Sequence, residues 1–170
     1  MSIKWIGAIL VIIGCGGMGF SMAAGYRREE RMLRTLIRGL DYMTCELQFR
    51  LPPLPQLSRQ AGQECGGMVG QAMTALGEAL DSQICPDVES CMCAALAQVD
   101  RLPPSVMEAL KLLGKSLGRF DLDGQLQGLE QVRAHCRRVL SELEKGRDQR
   151  VRGYQTLGVC TGAALAILFV

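Results

Sequence analysis

The side chains best suited to chemistry in this 170-residue chain are eight cysteines and a single histidine. The cysteines stand at 15, 45, 65, 85, 91, 93, 136 and 160. Thiolates bind soft metals or attack electrophiles when the fold brings them beside suitable partners. Cys85, Cys91, Cys93 and the His135-Cys136 pair form the one set that could be drawn toward a metal. None of them has C-x2-C spacing, so they read as reduced thiols packing as small apolar groups. Asp121 and Asp123 lie beside a glycine, but a calcium loop needs more oxygen ligands and a later glutamate. They read as turn and cap residues. The phosphate-loop, nucleophile-elbow and H-E-x-x-H patterns are all absent. Gly14-Cys15-Gly16-Gly17 lies in an apolar run and cannot cradle a phosphate in water. With no nucleophile beside a base, neither an enzyme nor a cofactor or metal is expected.

Charge is the remaining chemistry, and it is sorted along the chain. Residues 27–38 carry five basic and two acidic groups; residues 133–152 carry seven and three; residues 39–132 carry six and twelve. Net +2 therefore hides two basic arms and an acidic centre. Arg27, Arg28 and Arg31 in the first arm, and Lys145, Arg147, Arg150 and Arg152 in the second, suit an anionic membrane surface. Exposed acids of the centre form a candidate docking face for a basic protein: Glu78, Asp81, Asp87, Glu89, Asp100, Glu108 and Asp121. The alternative is a solvated surface that keeps the domain soluble. Such a balance excludes a strongly basic nucleic-acid binder.

The elements that position these charges begin with two apolar ends. Trp5 to Gly25 is uncharged over 21 residues, and Gly153 to Val170 over 18. A bilayer core takes roughly 20 apolar residues as a helix. We therefore expect transmembrane helices over 3–25 and 153–170, with 26–152 as a domain between them. Ser21-Met22-Ala23 resembles a leader cleavage site, but the run is long and its basic cluster follows instead of preceding it. Basic residues stay on the cytoplasmic side, so the central domain should be cytoplasmic in a two-pass cell-membrane protein. Small residues recur every fourth position, at Cys15, Gly19 and Ala23 and at Gly158, Gly162 and Ala166. Such spacing lets helices pack closely, either with each other or with copies in a homo-oligomer.

The centre reads as all-α, an antiparallel bundle of about six helices. Leu33, Leu36, Ile37, Leu40, Met43 and Leu47 share one helix face, and Leu51-Pro52-Pro53-Leu54-Pro55 stops that helix. A short helix over roughly 55–65 ends near Gly66-Gly67. Val69, Ala72, Met73, Leu76, Ala79 and Leu80 mark a third. Pro86, in a first turn, opens a fourth through Val88, Cys91, Met92, Ala95, Leu96 and Val99. Ser105-x-x-Glu108 is a capping-box pattern opening a fifth through Leu110, Leu113 and Leu117, which Gly118 ends. Asp121 or Asp123 caps a sixth with Leu126, Leu129, Val132, Cys136, Val139, Leu140 and Leu143 on one face. No strand signal is present.

Several runs resemble the stage III sporulation protein AB family. Arg27-Arg28-Glu29-Glu30-Arg31-Met32-Leu33-Arg34-Thr35-Leu36 resembles its juxtamembrane helix. Glu46 to Phe49 with Leu51-Pro52-Pro53-Leu54-Pro55-Gln56-Leu57 resembles its E-I-x-Y…P-L-P-x-x-L stretch. Leu110 to Gly118 with Asp121 and Gln125 resembles its L-x-x-L-G-x-x-L-G-x-x-D-x-x-x-Q, and Leu157-Gly158 with Gly162 its closing L-G-x-x-x-G. The family's tryptophan on the fourth helix is replaced here within Cys91-Met92-Cys93-Ala94. The resemblance implies a cytoplasmic domain similar to the type II secretion F platform domain. It implies a membrane scaffold in the complex between mother cell and forespore, in the mother-cell membrane facing the forespore. It also implies a secretion-type ATPase partner, stage III sporulation protein AA, beside other proteins of that complex. A membrane-anchored signalling or regulatory adaptor is the competing reading, but long heptads and an output domain are absent.

Overall fold

Prolines and glycines decide where the helices begin and end. In the computed structural model, the backbone is described for residues 2–83, 85–118 and 121–169, and side chains for residues 25, 27–83, 85–118 and 121–146. Six helices follow in order: α1 (Ser2–Phe49), α2 (Leu54–Cys65), α3 (Gly67–Asp81), α4 (Val88–Ala97), α5 (Pro104–Ser116) and α6 (Leu122–Phe169). No strand occurs among the described residues. Pro53 and Pro103 occupy the N-cap positions of α2 and α5, with ψ of 140° and 145°. The following Leu54-Pro55 and Pro104 enter the first turn, where a missing N–H costs nothing.

Two local expectations need correction. Ser105 and Glu108 do not form a capping box, because α5 begins earlier, at Pro104, and has no side-chain cap. Ser105 Oγ instead donates to the Glu29 carboxylate of α1. Pro86 lies before the α4 cap and outside its first turn: Asp87 is the N-cap, its Oδ1 accepting the Ser90 N–H at 3.3 Å. The six-helix count and the apolar faces stand. Leu33, Leu36, Leu40, Met43 and Leu47 of α1 are buried against Leu57, Leu76, Met92, Leu110, Leu113 and Leu129.

Each helix packs on the next, and α6 returns to α1, so the helices close into an antiparallel ring. α1 also touches α3 and α5, which makes it the spine. The tightest seam joins α2 and α3. A Cβ on Gly70 would lie 2.4 Å from the Gly62 carbonyl oxygen, and one on Gly62 2.8 Å from that of Gly70. Only bare backbone fits at this crossing.

The ring has two ends, about 27 Å apart if α1 is followed from Arg31 to Phe49 at ~1.5 Å per residue. The base holds Arg27–Arg31, the α2–α3 turn, the α4–α5 turn and Lys145. The apex holds Phe49–Pro53, the α3–α4 loop and the α5–α6 turn. The apolar segments 3–25 and 153–170 belong to the outer parts of α1 and α6. Their side chains lie outside the described residues, as do those of Gly19, Gly158, Gly162, Arg147, Arg150 and Arg152. No helix within the described residues is long and apolar enough to cross a membrane.

Candidate docking surface

The acids singled out in sequence divide between the two ends. Glu78, Asp81, Asp87, Glu89 and Asp121 come together at the apex. The contacts there are specific: a Cβ on Gly118 would meet Val88 Cγ2 at 2.4 Å and Leu54 Cδ2 at 3.8 Å, which joins the starts of α2, α4 and the α5–α6 turn. Lys115 Nζ lies 3.7 Å from Glu89, and Arg59 of α2 pairs with Asp81 of α3. Asp100 sits in the α4–α5 turn at the base, and Glu108 lies one turn into α5 near it. The single acidic face read from sequence is thus not one face.

Most apex acids also hold the fold. Asp87 caps α4, and Asp121 Oδ1 accepts the Gly124 N–H at 3.0 Å, which settles Asp121 over Asp123 as the α6 cap. Carboxylates at helix N-termini satisfy orphan amides and favour the dipole. Glu78 is exposed on the last turn of α3. It is the apex acid with the clearest freedom to meet a partner.

Sequence reasoning missed the apolar part of the apex. Among the described residues, three large hydrophobics are exposed: Phe49 at 80%, Leu51 at 61% and Leu122 at 36%. All three are at this end. Two ion pairs fix the α1–α6 register, Arg34 to Glu144 at 2.6 Å and Arg133 to Asp41 at 2.7 Å. Carried onward, that register brings the end of α1 level with the first turn of α6, where Leu122 lies. The signal for Phe49 was present in the spacing. The buried series through Leu40 and Met43 ends at Leu47, and Phe49, two positions on, falls off that face.

Leu51 is held in the left-handed region, with φ of +49°. The N–H groups of Arg50 and Leu51 both donate to Glu46 O, at 2.9 and 3.1 Å. This is the helix-ending position that glycine normally takes. A leucine there is strained and exposed, so the fold itself gains little from it.

The other titratable groups are structural. Burial pushes the Cys65 and Cys136 thiols up to about 11. Burial and then Cys85 raise the Cys91 thiol. A hydrogen bond to Asp41, assisted by Glu130, raises the Arg133 guanidinium. Burial raises the Tyr42 phenol, followed by Glu46. The six described cysteines are free thiols. Among the described residues no group of three or more His, Cys, Asp or Glu is arranged to hold a metal.

The family model for stage III sporulation protein AB matches residues 4–170. The chain belongs to this family. A family relative from Bacillus subtilis (strain 168), stage III sporulation protein AB, is 23% identical over 174 residues, covering 99% of each chain. A solved structure of stage III sporulation protein AB matches with a TM-score of 0.61 at 21% identity, covering 72% of this chain and 98% of the other. At that identity the structural likeness speaks for the fold. The sporulation assignment rests on the family model. The apex carries parts of two of the runs that resemble the family: Glu46–Phe49 with Leu51–Leu57, and the end of the Leu110–Gly118 run with Asp121.

Proposed function

We propose that this sporulation protein is a membrane platform: two end segments hold it in the membrane, and the apex of the helical head docks the cytoplasmic ATPase of the same complex. One observation carries the reading. Every exposed large hydrophobic among the described residues is at the apex, opposite the arginine-bearing base. Interfaces commonly set aromatic and apolar anchors inside a polar rim. Phe49 and Leu51 supply anchors, and exposed Glu78 supplies an acid at the rim that suits a basic partner. The strain at Leu51 supports the same reading, since backbone strain tends to persist where function retains it.

The role we assign is non-enzymatic. It is supported by the absence of a nucleophile–base pair in the sequence and by a fold whose acids cap helices and pair with neighbouring arginines. The orientation follows from the charge arms, with the base toward the cytoplasmic leaflet. Co-purification from membranes tests the proposal. Phe49→Asp should reduce recovery of the ATPase at least tenfold, because truncating or charging an anchor costs about 2 kcal/mol or more. Glu108→Lys, near the base, should leave recovery within about twofold, as expected of residues outside an anchor cluster. Equal recovery with Phe49→Asp would remove the apex from the interface.

A further inference from the structure

The base carries an open cleft of about 450 Å³ between α1 and the α2–α3 turn. Arg27, Arg28 and Arg31 line one side, and Gly66, Gly67 and Met68 the other. Among the described residues no acidic side chain lines it. Arg31 stands four positions after Arg27 and three after Arg28, so it neighbours both on the surface of α1. Arg34, Arg59 and Arg133 all have carboxylate partners. Arg27, Arg28 and Arg31 make no ion pair among the described residues. Arg28 Nη2 lies 2.9 Å from the Met68 sulfur, a weak acceptor for a guanidinium.

The opposite wall adds donors. Gly66 and Gly67 take φ of +61° and +56°, and a Cβ on either would meet nothing within 4 Å. The Gly66 N–H is taken by Gly62 O at 2.9 Å, which leaves room beside both glycines and the amides of residues 67–69 as the uncapped donors. The first helical bond of α3 runs from Gly70 N–H to Gly66 O at 2.9 Å, and no side chain caps the amides before it. Three guanidinium groups and an uncapped amide turn thus face one acid-free cleft. Guanidinium forks and free amides both match the oxygens of a phosphate.

We infer that this cleft binds the phosphate of an anionic lipid headgroup. A free phosphate has the same chemistry, but the position favours the lipid. Arg27 follows the uncharged 5–25 stretch with only Tyr26 between them. If that stretch crosses the membrane, the cleft opens at headgroup level. The inference rests on that membrane reading.

The test uses the full chain reconstituted in vesicles of phosphatidylcholine alone, or of equal parts phosphatidylcholine and phosphatidylglycerol. Flotation with phosphatidylcholine vesicles first reports insertion. The protein is then extracted gently, and retained lipid is read by native mass spectrometry. Phosphatidylglycerol should be retained over phosphatidylcholine. Arg28→Gln with Arg31→Gln should lower that retention about tenfold, the scale of one or two charge-assisted hydrogen bonds. Arg137→Gln with Arg138→Gln removes the same charge from exposed positions midway along α6 and should change it less than about twofold, as expected of exposed charges away from a site. All four substitutions are at exposed positions, and circular dichroism checks that the variants remain folded. Equal losses in both double variants, or no loss in either, overturn the cleft. Arginine-dependent binding of inorganic phosphate without lipid enrichment overturns the lipid assignment. Failure to float overturns the membrane reading, and the headgroup assignment falls with it.

Discussion

Gly70→Ala tests the seam that builds the floor of the basic cleft. The new methyl would sit 2.4 Å from the Gly62 carbonyl oxygen and 3.5 Å from its carbon. An ordinary contact begins near 3.4 Å, so the two helices must part by about 1 Å. The obstacle is backbone, which no rotamer change can clear. Overpacking of this kind costs about 1–3 kcal/mol or more, while alanine gains about 1 kcal/mol over glycine in a helix interior. A net loss of about 1 kcal/mol is expected, which lowers the melting midpoint by roughly 3–5 °C for a domain of this size. Thermal unfolding of the full chain in detergent, followed by circular dichroism, measures it. Gly146→Ala is the control, since a Cβ there meets nothing within 4 Å. It should be neutral or stabilising by up to about 1 kcal/mol. If Gly70→Ala behaves like Gly146→Ala, the close α2–α3 crossing is wrong.

Leu51→Gly should raise stability by about 1 kcal/mol by relieving the left-handed leucine, yet reduce ATPase recovery; a gain in stability with recovery unchanged would count against Leu51 as an anchor. In a chain lacking Cys15 and Cys160, maleimide should label the exposed Cys45 and Cys93 first, with the buried Cys91 and Cys136 reacting after unfolding, as peptide mapping would report. The thiols of Cys65 and Cys136 are pushed up to about 11 from an ordinary 9. The unfolded chain therefore loses those protons first. Stability should be insensitive to these thiols below pH 9 and fall as pH rises toward 11, whereas unchanged melting across that window would contradict their burial. Arg34→Ala, which removes the exposed bridge to Glu30 and Glu144, should cost no more than about 1 kcal/mol, and less in high salt.

Much of the fold was legible because helical spacing reports burial directly. The α1 series from Leu33 to Leu47 and the α6 series Leu129, Val132 and Cys136 are core positions in the structure. Boundaries were less legible. Ser105 and Glu108 match a capping box by type, but Pro103 and Pro104 pre-set the helix start and free Ser105 to bond Glu29. The candidate surface was harder still. A list of acids along the chain carries no information about which end of an up-and-down bundle each one reaches. Alternating helix direction sent Asp100 and Glu108 toward the base and gathered Glu78, Asp81, Asp87, Glu89 and Asp121 at the apex. Leu51 was unreadable for another reason: its left-handed conformation belongs to the way α1 ends, with the Leu51 N–H on Glu46 O, and leucine at that place gives no local sign of it.

The central claim is that the apex meets the ATPase. A photo-crosslinking residue placed at Gln48, beside Phe49 and exposed, reads that contact in membranes containing both proteins. The same residue at Asp100 reads the base. The account predicts an ATPase adduct from position 48 and none from position 100. An adduct from position 100 without one from position 48 would contradict it.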